Sequence, residues 1–342
     1  MAPLGDGRVA FTGGSFMGAK QPLSSVSIYD SKAGGKWSSL PDMLLPRDAP
    51  GTCVITRDGV SKLYAFGGVI GFPPPGTGSL NTSATVESFK LDANATKWEF
   101  EPSLPVSLTS PSVIALADGS GCIIAGGFHS QIADAKLTTW DARSASAAGG
   151  QVNQVTAPSS FAYSNKVWHF DGHNYTSLPS MPCAQRSAGS PLAECGLSNM
   201  GVALANNGVY LVGGGSMEPS YFNVSYLRLS PTVGAAWLEV APLNDARSYI
   251  MMGTVIDPKS GEEKVVAAGG MSLQPMFEPM SSVEVYSPSK NTWTYYGDGQ
   301  LGALPSAIGF GSGARLNATH MLAAGGSGPP PTTGKEALIF SL

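Results

Sequence analysis

Three arginines stand just before predicted strands and offer the clearest chemistry in this sequence. They are Arg47 in LPRDAPG, Arg186 in CAQRSAG and Arg247 in NDARSYI. A guanidinium group presents paired N–H donors that fit a carboxylate or a sulfate. If the strands that follow converge on one axis, the three arginines predict a ligand-binding site for an anion. The alternative is that each arginine pairs with a backbone carbonyl or with a nearby carboxylate such as Asp48 or Asp245.

Histidines and cysteines form no recognisable metal-binding or catalytic pattern. His169 and His173 are four residues apart, a spacing that brings two ligands together on a helix, but they flank a predicted strand turn. No Cys-x-x-Cys pair occurs. We therefore expect no metal, no cofactor and no catalytic residue. Glu194 and Glu278 are the carboxylates that could stand beside the arginines if the site transferred protons.

Sequons and cysteines favour an oxidising, extracellular compartment. Asn-x-Ser/Thr sequons begin at five positions in predicted loops, namely Asn81, Asn94, Asn174, Asn223 and Asn317. This composition would give about two by chance. Cys183 and Cys195 bracket one long loop and are predicted to close it with a disulfide. Cys53 and Cys122 lie on predicted inner strands, either as buried core residues or as a second bridge. We expect a secreted or cell-surface glycoprotein.

Composition restricts the function classes. The chain has 342 residues, of which 42% are hydrophobic and 13% charged, with 43 glycines and 26 prolines. This is too apolar for disorder and indicates many short strands joined by tight turns. A net charge of -4 without clustered Lys and Arg argues against a nucleic-acid partner. No run of about 18 apolar residues is present, so we expect no membrane insertion.

The strands are organised as repeats. Six apolar runs each end in a glycine pair, and the pairs end at Gly14, Gly68, Gly127, Gly214, Gly270 and Gly326. Most pairs follow a hairpin signal such as Asp58-Gly59. An alternating strand comes next, for example VSIYD at 26–30 or VEVYS at 283–287, and then a tryptophan such as Trp37 or Trp293. The unit thus recurs about every 55 residues, as in a repeat architecture.

This order of glycine pair, tyrosine-type strand and tryptophan resembles the kelch repeat, and the resemblance covers nearly the whole chain. It implies an all-β, six-bladed kelch-type β-propeller with four antiparallel strands per blade, in a single domain over residues 1–342. A β-sandwich with glycine-rich turns does not account for the regular recurrence.

Two parts of the sequence depart from this pattern. VWHFDGHNYTSLP at 167–179 aligns with IYDSKAGGKWSSLP at 28–41, with Tyr175 at the tryptophan position. The third repeat therefore carries an insertion at approximately 128–165, although LTTWD at 137–141 competes as its strand. The first and last blades are each predicted to lack a strand, and we expect the native polypeptide to extend beyond one or both ends, or the ring to be part of a larger assembly.

The loops that follow the glycine pairs suggest a surface for a partner. They carry apolar side chains, including Phe72, Met217, Tyr221, Met271, Met276 and Phe277. The sequence predicts a non-catalytic extracellular interaction or structural module that binds a protein or glycan partner through this face. The alternative is a carbohydrate-active isomerase or lyase that holds an acidic sugar at the channel mouth. Sialic acid mutarotases, which are similar in fold, work there through Arg and Glu.

Overall fold

The protein is an assembly of antiparallel β-sheets. The computed structural model describes residues 1–15, 21–72, 81–131, 160–182, 196–216, 220–221, 225–228, 236–272, 278–296, 304–328 and 337–342. Five sheets have four strands, one has three, and three small hairpins lie between them.

The first two sheets are continuous in sequence. The first contains β1 (Ala2–Pro3), β2 (Arg8–Thr12), β3 (Val26–Asp30) and β4 (Lys36–Leu40). The second contains β5 (Gly51–Arg57), β6 (Val60–Phe66), β7 (Val86–Lys90) and β8 (Glu99–Glu101). In both, spatial order follows chain order, so each sheet is a meander whose first strand is innermost and whose last strand is outermost.

In each of the two middle sheets, a small separate hairpin falls between the second and third strands in the sequence. The third sheet contains β9 (Ser112–Ala115), β10 (Cys122–Ala125), β13 (Val167–Phe170) and β14 (Tyr175–Leu178), and its hairpin is β11 (Phe128–Gln131) with β12 (Ser160–Tyr163). The fourth contains β15 (Gly201–Ala205), β16 (Gly208–Val212), β19 (Ser225–Arg228) and β20 (Leu238–Val240), and its hairpin is β17 (Gly215–Ser216) with β18 (Ser220–Tyr221).

The last two sheets differ in strand number. The fifth contains β21 (Met251–Ile256), β22 (Glu263–Ala268), β25 (Val283–Ser287) and β26 (Thr292–Tyr295), and its hairpin is β23 (Met271–Ser272) with β24 (Glu278–Pro279). The last sheet has three strands among the described residues: β27 (Ser312–Arg315), β28 (Met321–Ala324) and β29 (Ala337–Phe340).

Apolar second and third strands explain why the sheets pack face to face. Strands such as β22 and β25 are buried over most of their length, as expected for a strand covered on both faces. The glycine pairs that end the second strands hold positive φ. At Gly67 a side chain would collide with the carbonyl of Leu108 in the next connection, so glycine is required where neighbouring sheets approach.

Six apolar clusters join the sheets in a ring. Five of them each lie between consecutive sheets. The remaining cluster packs Val9 and Tyr29 of the first sheet against Ala314 and Leu322 of the last. The arrangement is therefore a β-propeller, as the repeats predict. Five sheets have four strands, and the first of them is not short of a strand as predicted, although its β1 is only two residues long. The last sheet has three strands among the described residues.

The third sheet has the register that the alignment predicts. Its third strand is Val167–Phe170, and Tyr175 begins its outer strand. The LTTWD segment lies outside the described residues. A disulfide between Cys53 and Cys122 joins β5 to β10 and so cross-links the second and third sheets. No helix within the described ranges is long and apolar enough to cross a membrane.

Candidate functional site at the channel mouth

Each connection between blades crosses one face of the ring in the same way. Its backbone carbonyl accepts a hydrogen bond of 2.8–2.9 Å from the second glycine of the preceding blade's pair. The accepting residues are Arg47, Leu108, Leu197, Arg247 and Ile308. The next residue bridges to the segment after the following blade's glycine pair, as Asp48 does with Val69. All five connections are thus fixed at equivalent points.

One residue further along, every connection has a non-glycine residue in the left-handed region. These residues are Ala49, Ser110, Asn199, Tyr249 and Phe310, with φ between 49° and 60°. We call them the mouth ring. The left-handed conformation costs a non-glycine residue about 1–2 kcal/mol, and such costs are concentrated at functional sites. Five equivalent occurrences show that the backbone conformation belongs to the repeat.

The mouth ring lies directly above the central channel. The channel holds a cavity of about 130 Å³ whose lining begins with the residues that follow the ring: Pro50, Pro111, Met200 and Ile250. Below them the lining continues along the inner strands, including Gly51, Ser112, Gly201 and Gly313. Ring residues are also joined to each other. The Tyr249 N–H donates to the Asn199 carbonyl at 2.9 Å, and the Ser110 N–H donates to the Ala49 carbonyl at 3.0 Å.

The side chains of the mouth ring give it two chemically different halves. Phe310 is 46% exposed, and its ring centroid lies 4.4 Å from that of half-buried Tyr249. This pair forms an apolar surface open to solvent. On the other side, Asn199 and Ser110 are partly exposed and supply an amide and a hydroxyl. An aromatic surface beside a few fixed polar groups is the usual construction of a small-ligand site.

A carboxyl group and a hydroxyl lie next to the ring. Asp48 immediately precedes Ala49, and burial raises the pKa of its carboxyl, although a hydrogen bond from Ser15 opposes this. Ser248 immediately precedes Tyr249; its Oγ is fully buried and has no hydrogen-bond partner among the described residues. The mouth therefore combines a carboxyl group that retains its proton more readily than usual with an unsatisfied buried hydroxyl.

Arg47 lies in the body of the second blade, away from solvent. Its side chain is 0% exposed, its Nη2 lies 2.7 Å from Glu87 Oε1, and its Nη1 donates to the Gly67 and Thr85 carbonyls. Burial lowers the pKa of Arg47, while the charge of Glu87 raises it. Glu87 also accepts from the backbone N–H groups of Leu44 and Leu45. Arg47 and Glu87 therefore anchor the connection to the blade.

Arg247 repeats this arrangement in the fifth blade. It is also fully buried, 2.7 Å from Glu284, and it donates to the Gly269 and Ser282 carbonyls. Burial lowers the pKa of Arg247 and the charge of Glu284 opposes the shift. Asp245, the alternative partner, lies 3.4 Å away and adds a weaker contact. With every donor group directed into the blade, neither arginine faces a ligand.

The third predicted arginine does not belong to the same set. Arg186 lies outside the described residues. The position equivalent to Arg47 and Arg247 in its connection is Leu197, as the shared hydrogen bond to the glycine pair shows. The expectation that three equivalent arginines converge on the channel is therefore corrected: two are structural, and the third position is a leucine.

The predicted partner face is only partly described. Met271 is 3% exposed and contributes to the core, in contrast to its predicted place on a partner surface. Phe72 is half-buried, and Tyr221 is in β18. Met217, Met276 and Phe277 lie outside the described residues, as do Cys183 and Cys195. The described sequon asparagines, Asn81, Asn94, Asn174 and Asn317, are all exposed, and Asn223 lies outside the described residues.

Within the described ranges, no group of three or more His, Cys, Asp or Glu side chains is arranged to hold a metal ion. Predicted carboxylate Glu278 is in β24, and Glu194 lies outside the described residues.

Comparison with known proteins supports the fold. No protein-family model and no curated protein sequence matches this chain. Among solved structures, one titled "Structure of YjhT" matches with a TM-score of 0.65 and 14% sequence identity, over 97% of this chain and 94% of the other. The two chains share a fold. At this identity the similarity carries no information on activity.

The mouth ring was not predicted from sequence. Its members are an alanine, a serine, an asparagine, a tyrosine and a phenylalanine, so residue type gives no common signal. The available signal is positional, since each residue stands two positions before the first residue of an inner strand. Residue preference would have placed glycine at these positive-φ positions.

Proposed function

We propose that this protein is a non-catalytic binding module that holds a saccharide chain, as part of a glycan partner, at the channel mouth. The observation that carries the proposal is the mouth ring. The exposed face of Phe310, supported by Tyr249, offers a flat apolar surface to the C–H face of a pyranose. Asn199 and Ser110 offer hydrogen bonds to its hydroxyl groups across the mouth.

The backbone supports this assignment. Since the connections are fixed by backbone hydrogen bonds on both sides, the backbone of the ring residues is ordered before a ligand arrives. A site that is already ordered loses little conformational entropy on binding. The small cavity below the ring favours a ligand that rests at the mouth over one that enters the channel.

The test is binding to a panel of neutral and acidic oligosaccharides, measured by calorimetry. Phe310→Ala should weaken the affinity for any saccharide that binds by about tenfold or more, since it removes the exposed aromatic face. Phe100→Ala is the matched control, because Phe100 is similarly exposed on β8, at the outer edge of the second blade. Equal binding by the two variants, or no binding to any member of the panel, would contradict the proposal.

The second candidate is a carbohydrate-active enzyme that acts on an acidic sugar at the same mouth. Asp48 favours it, because burial raises the pKa of a carboxyl group adjacent to the ring, as general acid catalysis requires. Saccharides recovered unchanged after incubation support the binding module. Conversion of a saccharide by the wild-type protein, lost in Asp48→Asn while binding persists, would establish the enzyme instead.

We further propose that the three-stranded sheet is the sixth blade of a kelch-type propeller and that the protein is a secreted or cell-surface glycoprotein. The closed ring of apolar clusters supports the first statement. The disulfide and the exposure of the four described sequon asparagines support the second.

A further inference from the structure

A groove lies beside the turn that joins the third and outer strands of the second blade. Its volume is about 270 Å³. Strand β7 contributes Ser88 and Lys90 to its lining, and β8 contributes Glu99. The rest of the lining comes from the turn, namely Asp92, Asn94, Ala95, Thr96 and Lys97. Ligand sites are usually larger than about 300 Å³, so the groove has room for one sugar unit and not for a chain of them.

The charges around the groove balance each other. Lys90 and Lys97 carry two ammonium groups, and Asp92 and Glu99 carry two carboxylates. The lining therefore favours a neutral ligand over an anion or a cation. Charged side chains make strong hydrogen bonds to hydroxyl and amide groups, while the lysine stems and the Ala95 methyl group supply apolar contacts. This combination of groups suits a neutral sugar.

Asn94 begins an Asn-Ala-Thr sequon and is itself part of the groove lining. Its backbone N–H donates to Asp92 Oδ1 at 2.8 Å, which fixes the conformation of the turn. Its side chain is exposed, and no hydrogen bond joins its amide group to a residue of the described ranges. The Asn94 amide is therefore accessible for modification beside a cavity of the right size.

Asn317 carries the same tripeptide in different surroundings. It begins an Asn-Ala-Thr sequon in the turn between β27 and β28, and it is also exposed. Its Oδ1 accepts the backbone N–H groups of Thr319 and His320, both at 3.0 Å. The two sequons thus agree in sequence and exposure and differ in local structure, so Asn317 is a matched control within the chain.

We propose that Asn94 is N-glycosylated and that the first sugar of its glycan, an N-acetylglucosamine, is bound in the groove. This inference rests on the proposed secreted glycoprotein, because the donor is a lipid diphosphate-linked oligosaccharide of the eukaryotic secretory pathway. A bond forms between Asn94 Nδ2 and C1 of the sugar as the bond from C1 to the diphosphate oxygen breaks. The lipid diphosphate leaves with that electron pair, and Nδ2 loses one proton.

A sugar in the groove would restrain the turn that leads to Trp98. This tryptophan is 2% exposed, and its Nε1 donates to the Pro41 carbonyl of the first blade at 2.8 Å. Lys97, which lines the groove, directly precedes it. We therefore expect the first sugar to stabilise the contact between the two blades. The sugars beyond it lie outside the groove and should add nothing.

The accessibility of the bond between asparagine and sugar tests this position of the sugar. The protein is secreted from eukaryotic cells that make high-mannose glycans, and the folded protein is treated with peptide-N-glycosidase. Mass spectrometry of the peptides should show release from Asn94 about tenfold or more slower than from Asn317, since the enzyme must reach the Nδ2–C1 bond. After denaturation the two rates should be equal, because the tripeptides are identical.

Variants outside the sequon locate the sugar. Lys90→Ala combined with Glu99→Ala removes one charge of each sign from the groove and should raise the rate of release from Asn94 to that from Asn317. Lys36→Ala combined with Glu239→Ala is the matched control, because both residues are exposed on outer strands of other blades. The control should leave release from Asn94 slow.

Thermal unfolding measures what the first sugar contributes. An endoglycosidase that leaves one N-acetylglucosamine on each asparagine should not change the midpoint. Asn94→Gln should lower it by about 2 °C, the shift produced by one or two hydrogen bonds in a chain of this size, whereas Asn317→Gln should not. Wild type and Asn94→Gln from the bacterial periplasm, where the disulfide forms without glycosylation, should unfold at the same temperature, which separates the sugar from the substitution.

The failure of this inference differs from the failure of the proposal beneath it. Glycans at other sequons with Asn94 unmodified would overturn the inference and leave the secreted glycoprotein standing. Equal release from Asn94 and Asn317 in the folded protein would also overturn it, because the first sugar would then lie outside the groove. The absence of glycans from every sequon would contradict the secreted glycoprotein itself, and this inference with it.

Discussion

Arg47 and Glu87 illustrate how the same residues can suggest a ligand site in sequence and form a structural unit in the fold. A guanidinium group near the predicted mouth is suited to an anion, but its neighbour in the blade is a fully buried carboxylate. That carboxylate also accepts two backbone N–H groups of the connection. The pair therefore fixes the path of the chain into the second blade, and Arg247 with Glu284 does the same in the fifth.

Removing one member of this pair should be costly. We expect Arg47→Met to lower the free energy of unfolding by about 3–5 kcal/mol, because it leaves Glu87 buried without a counter-charge. Addition of Glu87→Gln should restore part of the loss, since the amide oxygen can still accept from the connection. Arg8→Met is the control; its partner Asp6 is 44% exposed, and the expected loss is below about 1 kcal/mol.

Urea unfolding of the four proteins measures these differences. A ligand role for Arg47 would instead appear as lost saccharide binding at unchanged stability. That combination would restore the anion-binding hypothesis.

Prediction at the residue scale was limited by what sequence does not encode locally. The pairing of Cys53 with Cys122 depends on how the second and third sheets face each other, so core and disulfide interpretations were equally open. The partners of Arg47 and Arg247 were predicted as backbone or adjacent Asp, whereas the dominant carboxylates are 37–40 residues away. Positive φ at Tyr249 and Phe310 has no residue signature at all.

At the scale of elements, the glycine pairs and the aromatic residues after them were the reliable signals. Each glycine pair occupies a position where a neighbouring connection leaves no room for a side chain. Four of the aromatic residues mark outer strands by donating a hydrogen bond to the preceding blade: Trp98, Tyr175, Trp237 and Trp293. Tyr175 was placed correctly because its hydroxyl donates to the Pro102 carbonyl, as the indole N–H of Trp98 does to Pro41. Strand number in the first sheet was harder to predict: it was expected to lack a strand and has four, because Ala2 and Pro3 pair with β2.

The hydrogen bond from the Tyr175 hydroxyl to the Pro102 carbonyl shows how much one such contact between blades contributes to the free energy of unfolding. Tyr175→Phe keeps the stacking on Phe170, at 4.6 Å between centroids, and removes only the hydrogen bond to Pro102. We expect the free energy of unfolding to fall by about 1 kcal/mol. Trp37→Phe, which loses no described hydrogen bond, should have the smaller effect in the same urea titration. A larger loss of stability from Trp37→Phe than from Tyr175→Phe would show that this hydrogen bond between blades does not stabilise the fold.

At the scale of the whole molecule, the disulfide ties two blades that are otherwise held by packing. Cys53 and Cys122 are 69 residues apart in sequence, and closing a loop of this size is expected to stabilise the fold by about 4 kcal/mol. The double variant Cys53→Ala, Cys122→Ala should therefore unfold at lower urea than the wild type, with both measured without reductant. An unchanged midpoint would show that packing between the blades is sufficient alone.

The glycines of the inner strands allow these strands to pack closely around the central channel and so keep it narrow. A side chain at Gly51 would strike Val113, and one at Gly201 would strike Met252, so adjacent inner strands touch at van der Waals distance. The cavity on the axis is consequently small, about 130 Å³, the volume of a few water molecules. A ligand on the mouth ring is therefore expected to enter and leave from the solvent side, beside Phe310, and not along the axis.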